Sequence, residues 1–483
     1  MTGKKHIILN AFDMGSSGHQ APGLWKHPKD RSNDFDKLEY WTNLAKLLEK
    51  GKFNALFIAD VLGGYDVYEG NLDAALKSGA QVPLIEPGSL IPAMAAVTDH
   101  LAFAVTFSTI SEAPFHFARR LATIDELSKG RVGWNIVSSY LESAATNLLN
   151  GEPLPPHDER YARAEEYLDV VYKLFLSSWR DDAVVLDKEN GIFTDPERVR
   201  KINHDGNWFK VPGPNIFRPS QHQRLPVILQ AGTSRAGKEF AAKHAEAVFI
   251  NSFTPEDLKA KIHDIKTIAK EKFGREEDSI KFLNLLTIVV GETKQDALEK
   301  FKDYSKYGDL DGSQALFGGW TGIDLSEYDY DEELTNVESN AIRAAVNNWT
   351  KRSPGDPPNL KKTRRYVAEK ITVGGLGPVI IGDAQSVADE LERWVEISGV
   401  DGFNLTYTIS PGSFEDIVEL LVPELQKRGL VWDDYPDDVS TYRESLFGTK
   451  GPDPKFVRPS HPAYKLRWKE GESKEDFERR INI

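Results

Sequence analysis

The stretch Ala55-Leu-Phe-Ile-Ala-Asp60 is an unbroken apolar run that ends on an acid. A strand covered on both faces has this composition, because helices pack against both sides of a parallel sheet and leave no polar face. An amphipathic helix pattern precedes it, with apolar residues at 35, 38, 41, 45 and 48. A strand-like segment, His6–Phe12, comes before that helix. These residues therefore predict a strand–helix–strand unit of a parallel sheet.

The same alternation continues toward the other end of the chain. We predict further strands at 101–108, 131–137, 226–231, 247–251, 282–290 and 402–408. We predict helices at 34–52, 114–128, 158–178, 234–245, 254–273, 294–307, 386–398 and 414–428. Strands that alternate with helices indicate parallel βαβ units, and eight such strands favour closure into a barrel. The predicted fold class is α/β, a (β/α)8 TIM barrel with long insertions.

Four stretches interrupt the alternation, at 61–89, 138–157, 180–225 and 309–383, and they are rich in Gly, Pro and Asp. Loops of this length are usually lids or substrate walls, and disordered surface is the alternative. Aromatic residues between 309 and 350 favour ordered structure. We expect a single barrel domain over 1–450 and a C-terminal tail over 451–483. The segment after Gly429 has no periodic pattern, and we expect it to cover the surface or a second subunit.

Composition excludes several classes of protein. The net charge of −14 argues against nucleic acid or an anionic membrane surface as a partner. The chain has no cysteine, which excludes disulfides, thiolate metal sites and a cysteine nucleophile. Its eleven histidines include no H-E-x-x-H and no tight ligand set, so we expect no metal site. No signal peptide or apolar run of spanning length is present, and we expect a cytoplasmic protein.

One motif resembles a phosphate-binding loop. Gly232-Thr-Ser-Arg-Ala-Gly-Lys-Glu239 follows a predicted strand and opens a helix, but Glu239 occupies the position where that loop needs a hydroxyl for Mg²⁺. A nucleoside triphosphatase is therefore disfavoured. The loop can still seat a phosphate, because Gly232 allows close approach and Ser234 can cap the helix above free N–H groups. An ordinary capped helix is the alternative.

Other polar residues stand where a barrel carries its chemistry. Asp60, Thr106, Ser108 and Asn135 lie near the carboxyl ends of predicted strands, which face the catalytic mouth of a barrel. In His157-Asp-Glu-Arg-Tyr161, the first and last residues are four apart and share one helix face. Both can hydrogen-bond a phosphate or a flavin edge. A first turn of acids that complements the helix dipole is the simpler alternative for that cluster.

Longer sequence motifs resemble a known family. They are Asn10-Ala-Phe-Asp-Met14, Gly18-His-Gln-Ala-Pro-Gly-Leu-Trp25, Gly51-Lys-Phe-Asn-Ala-Leu-Phe57, Tyr65-Asp-Val-Tyr68, Ala102-Phe-Ala-Val-Thr-Phe-Ser108, Lys129-Gly-Arg-Val-Gly-Trp-Asn-Ile-Val137, His157-Asp-Glu-Arg-Tyr161, Gln230-Ala-Gly-Thr-Ser234 and Thr441-Tyr-Arg-Glu-Ser-Leu-Phe-Gly448. Together they resemble the bacterial-luciferase-like flavin monooxygenases. Within that family the resemblance is to the nitrilotriacetate and dibenzothiophene-sulfone monooxygenase branch, and most of all to long-chain alkane monooxygenases.

This resemblance implies a barrel with insertions that assembles as a homodimer or homotetramer. It implies FMN as the cofactor, used as FMNH2 with O2 as co-substrate, and a small-molecule substrate that is oxygenated. It also implies a separate NAD(P)H:flavin reductase as a transient partner, since no dinucleotide fingerprint follows a strand of this chain.

The resemblance also assigns site residues position by position. The positions that match flavin-contacting residues are Asp60, Thr106, Asn135, Ser139, Tyr140, His157, Tyr161 and Ser234. Those that match the pocket wall beside the flavin, where catalysis is expected, are His19, Tyr65 and Gln81. His19 follows the first strand and is the candidate for handling protons, with a packing histidine as the alternative. We expect the flavin-contacting residues to converge at one mouth of the barrel.

Three departures from the alkane enzymes bear on the substrate. This chain has Ser16 and Tyr140 where those enzymes have a cysteine and a histidine, and Gly312-Ser-Gln-Ala-Leu-Phe317 where they carry histidines. Such changes can alter the substrate without altering the flavin chemistry. The sequence leaves two other functional hypotheses open. One is a deazaflavin-dependent hydride-transfer oxidoreductase on the same barrel, and the other is a non-catalytic flavin-binding protein.

Overall fold

A closed barrel of eight parallel strands forms the centre of the computed structural model, which describes residues 5–232, 234–334, 349 and 359–481. The barrel strands are β1 (Ile8–Met14), β2 (Ala55–Ala59), β3 (Ala102–Ser108), β4 (Val132–Val137), β9 (Val227–Gln230), β10 (Ala247–Ile250), β11 (Lys281–Gly291) and β13 (Gly402–Thr406). The pairing runs β1-β2-β3-β4-β9-β10-β11-β13 and returns to β1, so the sheet has no free edge. The predicted barrel and its eight strands are confirmed.

Smaller strands lie outside this ring. β12 (Val379–Asp383) extends the second half of the long β11 as an edge strand, and its register pairs Val379 with Thr287. Two antiparallel hairpins, β5 (Val184–Asp187) with β6 (Ile192–Thr194) and β7 (His204–Asp205) with β8 (Lys210–Val211), lie within the insertion 180–225. The strand-and-helix alternation of the sequence did not predict any of these five strands, because each is short and is fixed by its neighbour.

Helices surround the barrel and fill the insertions. Their bounds are α1 (Leu38–Lys50), α2 (Asp73–Ser78), α3 (Ile91–Ala95), α4 (Pro114–Leu127), α5 (Glu142–Leu148), α6 (His157–Leu176), α7 (Arg235–His244), α8 (Pro255–Phe273), α9 (Lys294–Ser305), α10 (Leu310–Thr321), α11 (Arg364–Ile371), α12 (Ala384–Ser398), α13 (Gly412–Asp416), α14 (Val422–Lys427), α15 (Tyr442–Phe447) and α16 (Lys474–Ile481). A π-helical turn at Ile417–Leu421 joins α13 to α14, where the sequence predicts one continuous helix. Among the described helices none is long and apolar enough to cross a membrane.

Aromatic rings fill the inside of the barrel below its mouth. The rings of Phe12, Phe57 and Phe249 stack in series, with centroid separations of 4.8 and 4.3 Å. At the amino end Tyr442 of α15 enters the barrel, where a Cβ on Gly133 would come within 2.7 Å of its ring. The interior of the barrel is therefore a packed core that α15 closes at the amino end, and residues at the carboxyl end face its open mouth.

Three of the four insertions share a second apolar core, separate from the main one. It includes Tyr65 and Tyr68 from 61–89, Leu141 from 138–157, and Trp320 and Val367 from 309–383. Part of the last insertion, 335–348 and 350–358, lies outside the described residues. The insertion 180–225 instead packs toward the tail, since Arg200 pairs with Glu478 at 3.0 Å. The three insertions thus form one packed cover, which fits the expectation of lids.

The C-terminal segment after Gly429 is folded and does not simply extend along the surface. The segment after Gly429 contains two helices, α15 and α16, and α15 begins with a capping box between Thr441 and Glu444. Trp468 is fully buried, and its backbone N–H donates to the carbonyl of Leu176 in α6 at 2.9 Å. Both helices are shorter than the window over which helical periodicity can be recognised, which explains why the sequence did not predict them.

Candidate functional site

Polar residues at the ends of β2, β3 and β4 line one cleft at the carboxyl end of the barrel. Asp60, Thr106, Ser139 and Tyr140 face it together. Thr106 and Asn135 are direct neighbours in the β3–β4 register, and the Asn135 side-chain amide donates to the Thr106 hydroxyl oxygen at 2.9 Å. The Asn135 Oδ1 atom is buried and has no hydrogen-bond partner among the described residues. The pair therefore presents a free acceptor in a desolvated position, as a ligand-binding residue does.

The loop after β4 is held in an unusual backbone conformation. Ser139 has a φ of 58°, a left-handed value that non-glycine residues seldom adopt. Its hydroxyl lies 2.7 Å from that of Ser108, and its carbonyl accepts a hydrogen bond from Arg160 in α6. Arg160 is buried, and burial lowers its pKa from the ordinary value. The sequence analysis did not single out Arg160, although it lies within the motif 157–161 and three residues after His157.

A second group of predicted residues gathers at the amino end of α7. Ser234 caps this helix by accepting from the N–H of Gly237 at 3.1 Å. The Nε2 atom of His157 lies 3.2 Å from the same hydroxyl. The Tyr161 hydroxyl lies close to Gly232 and Gly237, where an added Cβ would come within 3.0 and 2.9 Å of it. The residue between Gly232 and Ser234 lies outside the described residues.

These three side chains and the helix end form a seat for an anion. Burial raises the pKa of Tyr161, so its hydroxyl stays protonated and can donate. Backbone N–H groups and the dipole at the start of α7 add positive potential. His157 is about one-third exposed, so a ligand can reach it. The seat lies at the same end of the barrel as the cleft, because Ser234 follows the carboxyl end of β9, which pairs with β4.

A chain of hydrogen bonds connects the residues expected to form the pocket wall. The Tyr65 hydroxyl donates to Gln81 Oε1 at 2.8 Å and lies 3.0 Å from the Tyr140 hydroxyl. The Gln81 side-chain amide donates in turn to the His19 carbonyl at 2.6 Å. Gln81 has a φ of 55°, so its backbone is strained as well. Four residues that are distant in sequence are thereby fixed against one another.

The His19 ring lies in an apolar environment. It is 1% exposed, and the described residues offer no hydrogen-bond partner to either ring nitrogen. Its ring packs edge-on against Phe12, at a centroid distance of 4.3 Å. Burial lowers the pKa of His19 to about 3, so the ring is neutral at physiological pH. A neutral imidazole has one N–H donor and one acceptor nitrogen, so it can donate and accept hydrogen bonds at the pocket without bringing a charge to it.

Asp60 is the acid closest to this cleft. Its pKa is raised to about 7, mainly by burial and also by the nearby Glu86 carboxylate, while the Val61 N–H and Arg120 act in the opposite direction. The carboxyl group therefore changes protonation near neutral pH, which is common for residues at functional sites. Among the described residues, no group of three or more His, Asp or Glu side chains is arranged to hold a metal ion.

The structure thus places all the predicted site residues at one end of the barrel, in two groups. Arg160 connects them, because it lies between His157 and Tyr161 in sequence and binds the Ser139 carbonyl. The neutral state of His19 and the Tyr65–Gln81 contact could not be read from sequence, since both depend on residues brought together by the insertions.

Comparison with known proteins gives consistent matches over almost the whole chain. Residues 11–402 match the model of a family described as luciferase-like monooxygenase. The chain is 48% identical over 465 residues to dimethyl-sulfide monooxygenase of Hyphomicrobium sulfonivorans, covering 96% of this chain and 94% of that protein. It is also 48% identical over 444 residues to long-chain alkane monooxygenase of Geobacillus thermodenitrificans, covering 92% and 94%. Nitrilotriacetate monooxygenase component A of Aminobacter aminovorans is 34% identical over 451 residues, covering 91% and 96%.

Solved structures agree with these matches. The crystal structure of DmoA from Hyphomicrobium sulfonivorans superposes with a TM-score of 0.88 at 47% identity, covering 96% of each chain. A riboflavin lyase crystallised with modified FMN and riboflavin superposes with a TM-score of 0.86 at 31% identity, covering 96% of this chain and 100% of that one.

Proposed function

Because this chain belongs to the luciferase-like monooxygenase family and is a flavin-dependent monooxygenase, we propose that it is the oxygenase of a two-component system. In this proposal it takes FMNH2 from a separate NAD(P)H:flavin reductase and uses O2 to oxygenate a small, apolar organic substrate. The 48% identity to two monooxygenases favours this function over the hydride-transfer and non-catalytic hypotheses.

The anion seat at α7 is the observation that carries the choice of FMN. It offers His157, Tyr161 and Ser234 to one phosphate, together with the N–H groups of the first helical turn. Asn135 lies beside Thr106 of the cleft, and its buried Oδ1 has no hydrogen-bond partner among the described residues, so we assign it as an acceptor for the flavin ring system. A single seat for one phosphate suits a mononucleotide such as FMN. When bound, the reduced flavin supplies the electrons that activate O2.

The residues of the pocket wall have distinct roles in this proposal. Tyr65 and Gln81 orient the loop that carries His19, since their hydrogen bonds end on its carbonyl. His19 holds or passes a proton at one of its ring nitrogens, both of which are free of partners in the described part of the chain. The shared core of the insertions excludes bulk water from this space, which protects reactive species from side reactions.

The cleft itself supports an apolar substrate. Beside its polar strand ends, its walls are the apolar side chains of Val61, Leu62, Val137, Leu141 and Ala144. Among the described residues no Lys or Arg lines it, which disfavours a substrate that must be bound by its negative charge. The names of the two relatives at 48% identity, which specify dimethyl sulfide and long-chain alkanes, are consistent with an uncharged substrate for this chain as well.

The remaining parts of the proposal concern partners. The reductase need not form a stable complex, because reduced FMN is small and diffuses. We further propose that the chain assembles as a homodimer or homotetramer, acts in the cytoplasm, and consists of one barrel domain over 1–450 with the tail 451–483.

The cofactor is tested by anaerobic titration of the purified protein with FMNH2, FMN and FAD. We expect FMNH2 to bind more tightly than oxidised FMN, and FMN more tightly than FAD. Preferential binding of FAD would contradict the use of a mononucleotide seat.

A further inference from the structure

A large cavity lies at the amino end of the barrel, opposite the candidate flavin site. It has a volume of about 610 Å³, which is within the range of small-molecule sites. Glu246 and Ser279, which line it, stand directly before β10 and β11, and Arg443 and Phe447 line it from α15. The tail segment 448–470 forms its outer wall. None of the residues assigned to the flavin site takes part in it.

Most carboxylates of this cavity are already paired with arginines. Glu246 receives two hydrogen bonds from Arg443, at 2.6 and 2.8 Å, in a fully buried ion pair. Arg467 pairs with Asp181 at 2.8 Å and with Asp453 at 2.5 Å. These carboxylates therefore leave little negative charge to repel an incoming anion.

Three cations of the cavity form no salt bridge in the described part of the chain, although the Glu246 and Glu276 carboxylates act on Arg275 from a distance. Arg275 is 3% exposed and donates only to backbone carbonyls, and its Nε has no hydrogen-bond partner there. Lys450 and Lys469 are exposed at the rim. Burial lowers the pKa of Arg275 to about 10, so it remains charged at neutral pH. Against these stands Glu470, an exposed acid at the same rim.

The walls between these charges are apolar and aromatic. Cations already lie over three of their rings: Arg458 over Phe447 at 5.3 Å, Arg467 over Phe456 at 4.8 Å and Lys469 over Tyr464 at 5.0 Å. Three prolines, Pro452, Pro454 and Pro459, complete the surface. Such a lining can hold an apolar body by contact while the cations fix its charged group.

We propose that this cavity is a second ligand site, separate from the flavin site, for an organic anion that has an apolar body and a carboxylate, sulfonate or phosphate group. Its positive surplus contrasts with the net charge of −14 on the whole chain, so anions are attracted here and repelled elsewhere. The apolar body lies against Phe447, Phe456 and Tyr464, and the anionic group lies toward Arg275, Lys450 and Lys469. The proposal does not depend on the identity of the flavin or of the oxygenated substrate.

The site is tested by isothermal titration with naphthalene-2-sulfonate, with and without excess FMN. We expect one binding site per chain and an affinity that FMN does not change. We expect the double variant Lys450→Gln/Lys469→Gln to bind at least tenfold more weakly, and the uncharged naphthalene-2-methanol to bind at least tenfold more weakly to the natural protein. Both lysines are exposed, so the double variant should keep the thermal unfolding temperature of the natural protein.

A matched control separates this site from general charge effects. The double variant Lys188→Gln/Lys294→Gln removes two exposed lysines outside the cavity, and it should bind the sulfonate with unchanged affinity. The proposal is overturned if the sulfonate does not bind, if FMN displaces it, or if both double variants bind it equally well.

Discussion

The two ends of the barrel differ in how their most deeply buried ionisable and polar side chains are partnered. At the amino end, Arg443 makes hydrogen bonds to both oxygens of Glu246 and to backbone carbonyls, and the pair closes the barrel beside Tyr442. At the carboxyl end, His19 and Asn135 hold buried polar atoms without partners in the described chain. Partnered groups stabilise a fold, whereas unpartnered ones cost stability and are retained where a ligand uses them. The comparison assigns a stabilising role to the Arg443–Glu246 pair and a binding role to the unpartnered groups at the carboxyl end.

The largest expected effect comes from the amino end. Arg443→Ala should lower the free energy of unfolding by about 3–5 kcal/mol, because it leaves the Glu246 carboxylate buried and unpaired. Equilibrium denaturation with urea measures this. Arg458→Ala, which breaks the exposed pair with Asp278, is the control and should cost less than about 1 kcal/mol. Equal losses in the two variants would show that the amino end does not stabilise the fold in this way.

At the carboxyl end, Ser234→Ala should weaken binding of reduced FMN by about 1.5–3 kcal/mol, roughly 10- to 100-fold, by removing a hydrogen bond to a charged phosphate. Thr254→Ala is a matched control, because Thr254 caps α8 as Ser234 caps α7. Both variants should lose about 1 kcal/mol of stability from the missing cap. Only Ser234→Ala should lower the flavin affinity in an anaerobic titration. If the two variants bind reduced FMN with equal affinity, Ser234 does not bind the phosphate.

The largely buried acid Asp60 should make the stability of the fold depend on pH, whereas an exposed acid should not. Since burial raises its pKa from 3.8 to about 7, the folded chain holds this proton more tightly than the unfolded chain. Its charge therefore costs stability, a cost that is absent below about pH 4 and grows as the pH rises toward 7. When the pH rises from 5 to 8, the stability of Asp60→Asn should therefore increase by about 2–3 kcal/mol relative to that of the natural protein.

The control for this pH dependence is Asp66→Asn, which changes an exposed acid in the insertion that follows Asp60. Denaturation curves of the flavin-free protein at both pH values provide the measurement. If the difference between Asp60→Asn and the natural protein stays the same at pH 5 and pH 8, Asp60 does not titrate in this range.

The smallest effect should come from the pocket-wall hydrogen bonds. Tyr65→Phe removes the hydroxyl that contacts Gln81 and Tyr140, and the loss of about 1 kcal/mol should lower the rate of substrate oxygenation roughly fivefold. Tyr68→Phe is its control, because Tyr68 lies in the same insertion but bonds to Arg364 instead. Product formation per O2 consumed should fall in the first variant only. Equal product yields in the two variants would argue against a role for Tyr65 in the pocket.

The sequence predicted the barrel well for a physical reason. Runs such as 55–60 are apolar on both faces, a property that belongs to the strand itself and needs no knowledge of its neighbours. Site residues at strand ends, such as Asp60 and Asn135, could be located for the same reason. The roles of these residues remain proposals, although the structure places them together.

Other features depend on contacts that the sequence does not reveal. The edge strand β12 exists because the long β11 extends past the barrel and offers it a partner. The shared core of the three insertions joins residues as distant as Tyr65 and Trp320. The low pKa of His19 arises from its burial against Phe12 and Tyr407, which come from opposite ends of the chain, so no local pattern around residue 19 could indicate it.

The central claim is that this chain oxygenates an uncharged substrate with reduced FMN that another protein supplies. The direct test is oxygen uptake with NADH, FMN and dimethyl sulfide or an alkane as substrate, with and without an unrelated flavin reductase. We expect oxygenated product only when the reductase is present, because the chain has no dinucleotide fingerprint after any strand. Substantial substrate-dependent oxidation of NADH by the chain alone would contradict the account.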